Sequence, residues 1–144
     1  MSGILLVMLA AQFSCGVFAR MNLKSQRQLW RESGTVNYRM KIYINKTGHA
    51  TPNGKFIITV RDGEVESIKR EDNQAINPDT QRFSQYDTID DIFNFIERGI
   101  EESPYKFEIE YDAKLGYPKK LDLDPKQRTF DDELFFEVLE FEVL

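Results

Sequence analysis

The chain holds one cysteine, one histidine and one tryptophan in 144 residues. With Cys15 alone, a disulfide framework and a thiolate metal site are excluded for everything that follows it. His49 falls in a turn region, Gly48 to Gly54, with no carboxylate beside it. A zinc site built on it would need three more ligands, all carboxylates, so a solvated loop residue is expected. The sequence lacks a glycine-rich phosphate loop, a Gly-x-Ser-x-Gly elbow and a His-Glu-x-x-His pair. Nineteen Lys and Arg stand against 24 Asp and Glu, a net charge of −5. That balance argues against nucleic acid, which calls for clustered positive charge. There is no internal repeat, and nothing points to a cofactor or a resident metal.

What is present begins at the N-terminus. Met1 to Ala19 carry no charged side chain and include the apolar run Ile4 to Ala11. This reads as the hydrophobic region of a signal peptide, or as a lipoprotein signal or anchor segment. Phe13-Ser14-Cys15 resembles the end of a lipobox, with Cys15 as the lipidated residue, although Gln12 departs from the usual pattern. Val17-Phe18-Ala19 is the competing cleavage site. Positive residues follow the segment, at Arg20, Lys24, Arg27 and Arg31, and none precedes it. An uncleaved helix of that polarity would leave the rest in the cytoplasm. The expectation is an exported protein, either a membrane-anchored lipoprotein or a periplasmic or extracellular one, with 1–19 as the address and 20–144 as one domain.

Eleven Phe and six Tyr favour a sheet-rich core in that domain. Met21–Ser33 reads as a helix anchored by Trp30 and ended by Gly34. Asn37–Asn45 alternates, with Tyr38, Met40, Ile42 and Ile44 on one face. Lys55–Arg61 alternates too, and Asp62-Gly63 predicts a tight hairpin into Glu64–Lys69. Arg70–Tyr86 lacks periodicity and reads as a loop. Thr88–Glu102 predicts a helix capped by Thr88 with Asp91, its apolar face formed by Ile89, Ile92, Phe93, Ile96 and Ile100. Lys106–Tyr111, the Gly116-Tyr117-Pro118 turn with Leu121 and Leu123, and Leu134–Val143 complete the pattern. The last segment is apolar on both parities, which fits either a central strand or a strand with a bulge that swaps faces near Leu139-Glu140. The fold class is α+β: one antiparallel sheet of about six strands with two helices on one face, ordered helix, three strands, helix, three strands.

Trp30, Gly34, Asn37-Tyr38, Val60 to Val65, Thr88 to Phe93, Tyr111-Asp112, Gly116-Tyr117-Pro118 and Asp131-Asp132-Glu133 occur in this order. The ordered set, spanning Leu29 to Phe141, resembles DUF6174, a family of small bacterial domains of unknown function found mostly in secreted proteins or lipoproteins. The resemblance implies bacterial origin and export, and it implies no activity. The physics of these residues is structural. Asp62-Gly63 turns the chain, Thr88 and Asp91 cap a helix, and Gly116 with Pro118 shapes a second hairpin. Tyr38, Phe93 and Tyr111 fill the space between sheet and helix.

Carboxylates are the remaining chemistry. Asp122, Asp124 and Glu133 have EF-hand spacing, but Lys126 and Gln127 stand where a ligand and the obligatory glycine belong. A looser calcium site at Asp131, Asp132 and Glu133 competes with a plain charged loop. Glu108 with Glu110 and Glu140 with Glu142 alternate with apolar residues and are expected to face water. No catalytic residue is assigned, and a non-enzymatic binding or interaction module is expected. Its partner would be an envelope protein or a small ligand, and its membrane contact the N-terminal segment. Tyr43, Ile57 and the aromatics of Leu134–Phe141 are the expected contact residues. The alternatives are a secreted enzyme inhibitor presenting the Asp62-Gly63 or Gly116-Tyr117-Pro118 hairpin, and a carboxylate-based hydrolase.

Overall fold

The computed structural model describes residues 3–47, 53–77, 83–102, 104, 106–124 and 133–144, with the side chains of the first helix from Gly16 onward. His49, Asp131 and Asp132 lie outside the described residues, as does the side chain of Cys15.

Among the described residues two helices cover one face of a seven-stranded sheet. The elements run α1 (Gly3–Glu32), β1 (Tyr38–Lys46), β2 (Gly54–Arg61), β3 (Glu64–Arg70), β4 (Ala75–Ile76), α2 (Ile89–Glu101), β5 (Lys106–Tyr111), β6 (Pro118–Asp124) and β7 (Leu134–Val143). The spatial order is β4-β3-β2-β1-β7-β6-β5, and every neighbouring pair is antiparallel. The expected six strands become seven. The addition is β4, which pairs Ala75 with Lys69 and Ile76 with Ile68 inside the segment read as a loop. Two residues are too short to carry a period, so no alternation announces the strand. The helix expected over Met21–Ser33 is likewise part of a longer one, continuous from Gly3.

The core lies between sheet and helices. Met40, Ile42 and Ile44 of β1, Ile58 and Val60 of β2, and Phe93 and Ile96 of α2 are fully buried. Two bulges reconcile awkward sequence with this single core. In β3, Val65 opposes Val60 while Ser67 opposes Thr59, which leaves Glu66 as the extra residue. Val65 and Ile68, at odd spacing, thus share the inner face. In β7, Val138 opposes Ile42 and Glu140 opposes Lys41, so Leu139 is extra. Leu134, Phe136 and Val138 point inward before it, and Phe141 packs on the core after it. The face swap expected near Leu139-Glu140 is therefore present.

Trp30 ties α1 to the sheet. Its ring meets Tyr38 at 5.5 Å, Phe141 at 6.0 Å and Tyr117 at 6.4 Å, each edge-on. Phe141 in turn stacks on Tyr117 at 4.4 Å and on Tyr38 at 5.2 Å. Edge-on and offset contacts of this kind add to the area that the rings bury.

Candidate functional site

Alternation along each strand sends every second side chain to the sheet face opposite the two described helices. That face carries Arg39, Lys41 and Tyr43 of β1, Lys55, Ile57 and Thr59 of β2, Lys120 and Asp122 of β6, and Phe135 and Glu137 of β7. At its centre Ile57, Tyr43 and Phe135 form a diagonal row over three neighbouring strands, all half-buried. The Tyr43 and Phe135 rings are 6.0 Å apart, and the Lys120 ammonium stands 5.7 Å from the centre of the Phe135 ring. Diagonal neighbours in a sheet lie within reach of aromatic side chains, which is why the row is continuous.

Charge pairs frame this row. Lys41 bridges Glu71 at 3.0 Å and Glu140 at 3.7 Å, Arg39 approaches Glu142 at 3.6 Å, and Lys106 holds Asp122 at 2.7 Å. The hydrogen bond with Glu71 raises the pKa of Lys41 and lowers that of Glu71. Glu108 and Glu110 are exposed, as expected. Phe136 and Phe141 were expected among the contact aromatics, but they belong to the core side; Phe135 alone of that strand's aromatics reaches the open face.

The other polar concentrations lie in the helix layer. Thr88 caps α2: its hydroxyl accepts from the Asp91 N–H at 3.1 Å and donates to the Asp91 carboxylate. The Ile89 N–H, also at the helix start, donates to the Tyr38 hydroxyl at 2.9 Å. Burial pushes the Tyr38 phenol above its ordinary range. Asp87, just before the cap, is buried, and desolvation together with the Asp91 carboxyl raises its acid to about 7. Thr88, Asp91 and the Tyr38 hydroxyl thus serve the start of α2.

Between α1 and α2 runs a groove of about 640 Å³, lined by Leu23 and Ile100 at its base, by Arg20, Lys24, Arg27 and Arg31 from α1, and by Glu97 and Glu101 from α2. Arg27 bonds Glu97 at 3.1 Å and Asn94 at 3.3 Å while its guanidinium lies 5.4 Å from the Phe93 ring centre. Phe93 stacks on Tyr111 at 6.3 Å. Burial raises the Tyr111 phenol, against a smaller opposite effect of Arg27.

The residues singled out in the sequence therefore divide. Trp30, Tyr38, Phe93, Tyr111 and Tyr117 join helix to sheet. Asp62 and Gly63 both take positive φ, at 50° and 78°, and make the exposed β2–β3 turn. Asn37 pins that turn by accepting from the Asp62 N–H at 2.9 Å. The Gly116-Tyr117-Pro118 turn is not presented to solvent. Gly116 lies against the α1 backbone, and Tyr117 and Pro118 are buried. Asp112 organises the turn by accepting from the Lys114 and Leu115 N–H groups. Sequence reasoning missed Asp87, for which a lone Asp before a cap gives no signal. It also treated the basic residues of α1 as an orientation signal only, although their 4-3-4 spacing already places them on one helix side.

Among the described residues, no cluster of His, Cys, Asp and Glu could hold a metal ion, and no helix is long and apolar enough to cross a membrane. The comparisons with curated proteins and with solved structures found no match. A family model does match, over residues 22–143, and its description is a family of unknown function, DUF6174. The match extends beyond Leu29–Phe141 at both ends and takes in most of α1 that packs on the sheet.

Proposed function

Because the chain belongs to the DUF6174 family, whose description assigns no activity, we propose a function from geometry: an exported, non-enzymatic envelope module that binds a partner through its uncovered sheet face. The observation that carries this reading is the row Ile57, Tyr43 and Phe135, an apolar centre with a charged rim. An apolar core ringed by polar residues is the anatomy of a recognition patch. The partner is an envelope protein or a small ligand. A lipid on Cys15, or cleavage after Ala19, would deliver the domain to the envelope, and the family match beginning at residue 22 supports treating 1–19 as separate from the domain.

Carboxylate hydrolysis has less support. Acid–base work needs carboxyls with separated protonation states in a sheltered pocket, whereas Asp122, Glu140 and Glu142 are matched by Lys106, Lys41 and Arg39 on an open surface. The inhibitor alternative narrows to the Asp62-Gly63 hairpin, since the other turn is packed away; tight stoichiometric inhibition within a panel of hydrolases would favour it.

The test is paired substitution of Tyr43→Ser and Phe135→Ser, followed by crosslinking in the native host. Loss of a defined crosslinked partner, with the thermal transition retained, supports the sheet face. An unchanged crosslinking pattern refutes it. Intact mass from membrane and soluble fractions tests the address. A chain starting at Cys15 and carrying a diacylglyceryl group is the lipoprotein outcome, and a lipid-free chain starting at Arg20 is the released one. A full-length species would make 1–19 an anchor.

A further inference from the structure

We propose that the exposed flank of α1 bordering the groove with α2 docks on an anionic lipid surface, through Arg20, Lys24 and Arg31 together with the exposed Val17, Phe18 and Met21. On a helix, residues three and four apart are surface neighbours. Val17 therefore adjoins both Arg20 and Met21, and Met21 adjoins Lys24. Lys24 is followed on the same side by Arg27 and Arg31. The apolar and basic side chains form one continuous patch along the helix. Val17, Phe18 and Met21 are 54%, 69% and 63% exposed, high values for side chains of this type.

The charges on this flank are available. Arg20, Lys24 and Arg31 are exposed and make no ion pair among the described residues, whereas Arg27 is engaged by Glu97. The chain as a whole carries −5, so attraction to an anionic surface has to come from a local cluster, and here Arg20, Lys24, Arg27 and Arg31 outnumber the Glu97 and Glu101 that line the same groove. The order along the helix also fits a bilayer. The apolar run Ile4–Ala11 comes first, the exposed apolar residues next, and the cations after them. Such a helix can sink its apolar part to the acyl boundary while Lys and Arg reach the headgroup phosphates on long stems. Docking through the helix layer turns the opposite sheet face away from the membrane, leaving Tyr43 and Phe135 open to a partner. The inference thus rests on the reading that this protein works at a membrane. A chain starting at Cys15 keeps the whole patch, whereas cleavage after Ala19 removes Val17 and Phe18 and leaves Met21 with the cations.

The experiment uses purified full-length chain and two vesicle types, phosphatidylcholine alone and phosphatidylcholine with phosphatidylglycerol. The apolar N-terminus contributes to both, so the readout is the difference between them. We expect stronger partitioning onto the phosphatidylglycerol vesicles and loss of that gain at high salt. In the variant Arg20→Gln, Lys24→Gln, Arg31→Gln the gain should shrink by roughly 100-fold, from about fivefold per cation. Partitioning onto neutral vesicles should not change. All three side chains are exposed, and an unaltered thermal transition verifies the fold; the salt dependence of wild type stands as a test without any variant. Equal partitioning of wild type onto both vesicles overturns the proposal, as does a variant that keeps the full gain. Displacement by inorganic phosphate beyond that by chloride of equal ionic strength would reassign the patch to a free phosphate. Because no host partner enters the assay, its failure is separable from failure of the sheet-face reading.

Discussion

At Gly116 a β-carbon would stand 2.6 Å from the Gln26 carbonyl oxygen and 3.0 Å from Leu29 Cβ, and φ is +80°. Gly116→Ala therefore combines left-handed strain with a collision against helix backbone. The expected loss is about 2–4 kcal/mol in urea unfolding. Gly63 has a similar φ of +78° but nothing within 4 Å, so Gly63→Ala should cost only about 1–2 kcal/mol. Equal losses at the two positions would mean that α1 does not press on the β5–β6 turn. Asp87 offers a pH-dependent test. Burial, with the Asp91 carboxyl beside it, raises its acid from an ordinary 3.8 to about 7, so the folded chain holds this proton more tightly than the unfolded chain does. Its stabilising contribution is complete below the unfolded value and is lost as pH rises through about 7. Asp90 and Asp91 of α2 and the Tyr38 phenol share this corner. In Asp87→Asn, which has no proton to lose, the urea midpoint should fall less than in wild type between about pH 4 and pH 8. Parallel pH profiles would refute the assignment.

Elements depend on a few such contacts. Thr88 supplies both halves of the α2 start, accepting from the Asp91 N–H and donating to its carboxylate. Thr88→Ala should cost about 1 kcal/mol, and Thr88→Ser should recover most of it. The cap was legible because a hydroxyl followed by an acid and an apolar helical period is a local pattern. β7 is different in kind. Deleting Leu139 removes the bulged residue and leaves Val138, Glu140 and Phe141 in plain alternation, so Val138 and Phe141 still both face the core. The expected outcome is a retained near-ultraviolet circular dichroism of the cluster around Trp30, with strand content kept. A deletion that lost this signal would show that the core needs the bulge itself and not only the parity it sets. The mixed parity of Leu134–Val143 hinted at the bulge, yet its position is defined by pairing with Lys41 and Ile42 of β1. β4 had no such hint. It exists only because the edge of β3 offers Ile68 and Lys69 to pair with.

For the molecule as a whole, Leu23 and Trp30 are the buried anchors of α1, and both lie beyond the proposed address segment. A chain beginning at Arg20 should therefore fold with the near-ultraviolet spectrum and unfolding midpoint of the longer one; an unfolded product would make Met1–Ala19 part of the domain. The sequence by itself determined the class, the apolar face of α2, five of the strands nearly to the residue, and the family. Each of these rests on a local period or on turn chemistry that needs only neighbours in the chain. Tertiary structure decided the rest. It decided that Phe135 faces outward while Phe136 and Phe141 face the core, and that one expected hairpin is buried against α1. It also decided that Asp87 is buried beside Asp91, which raises its acid to about 7, and that the cations of α1 border a groove with α2. These depend on which strands meet and in what register, and on how closely two backbones approach, quantities that no local period encodes.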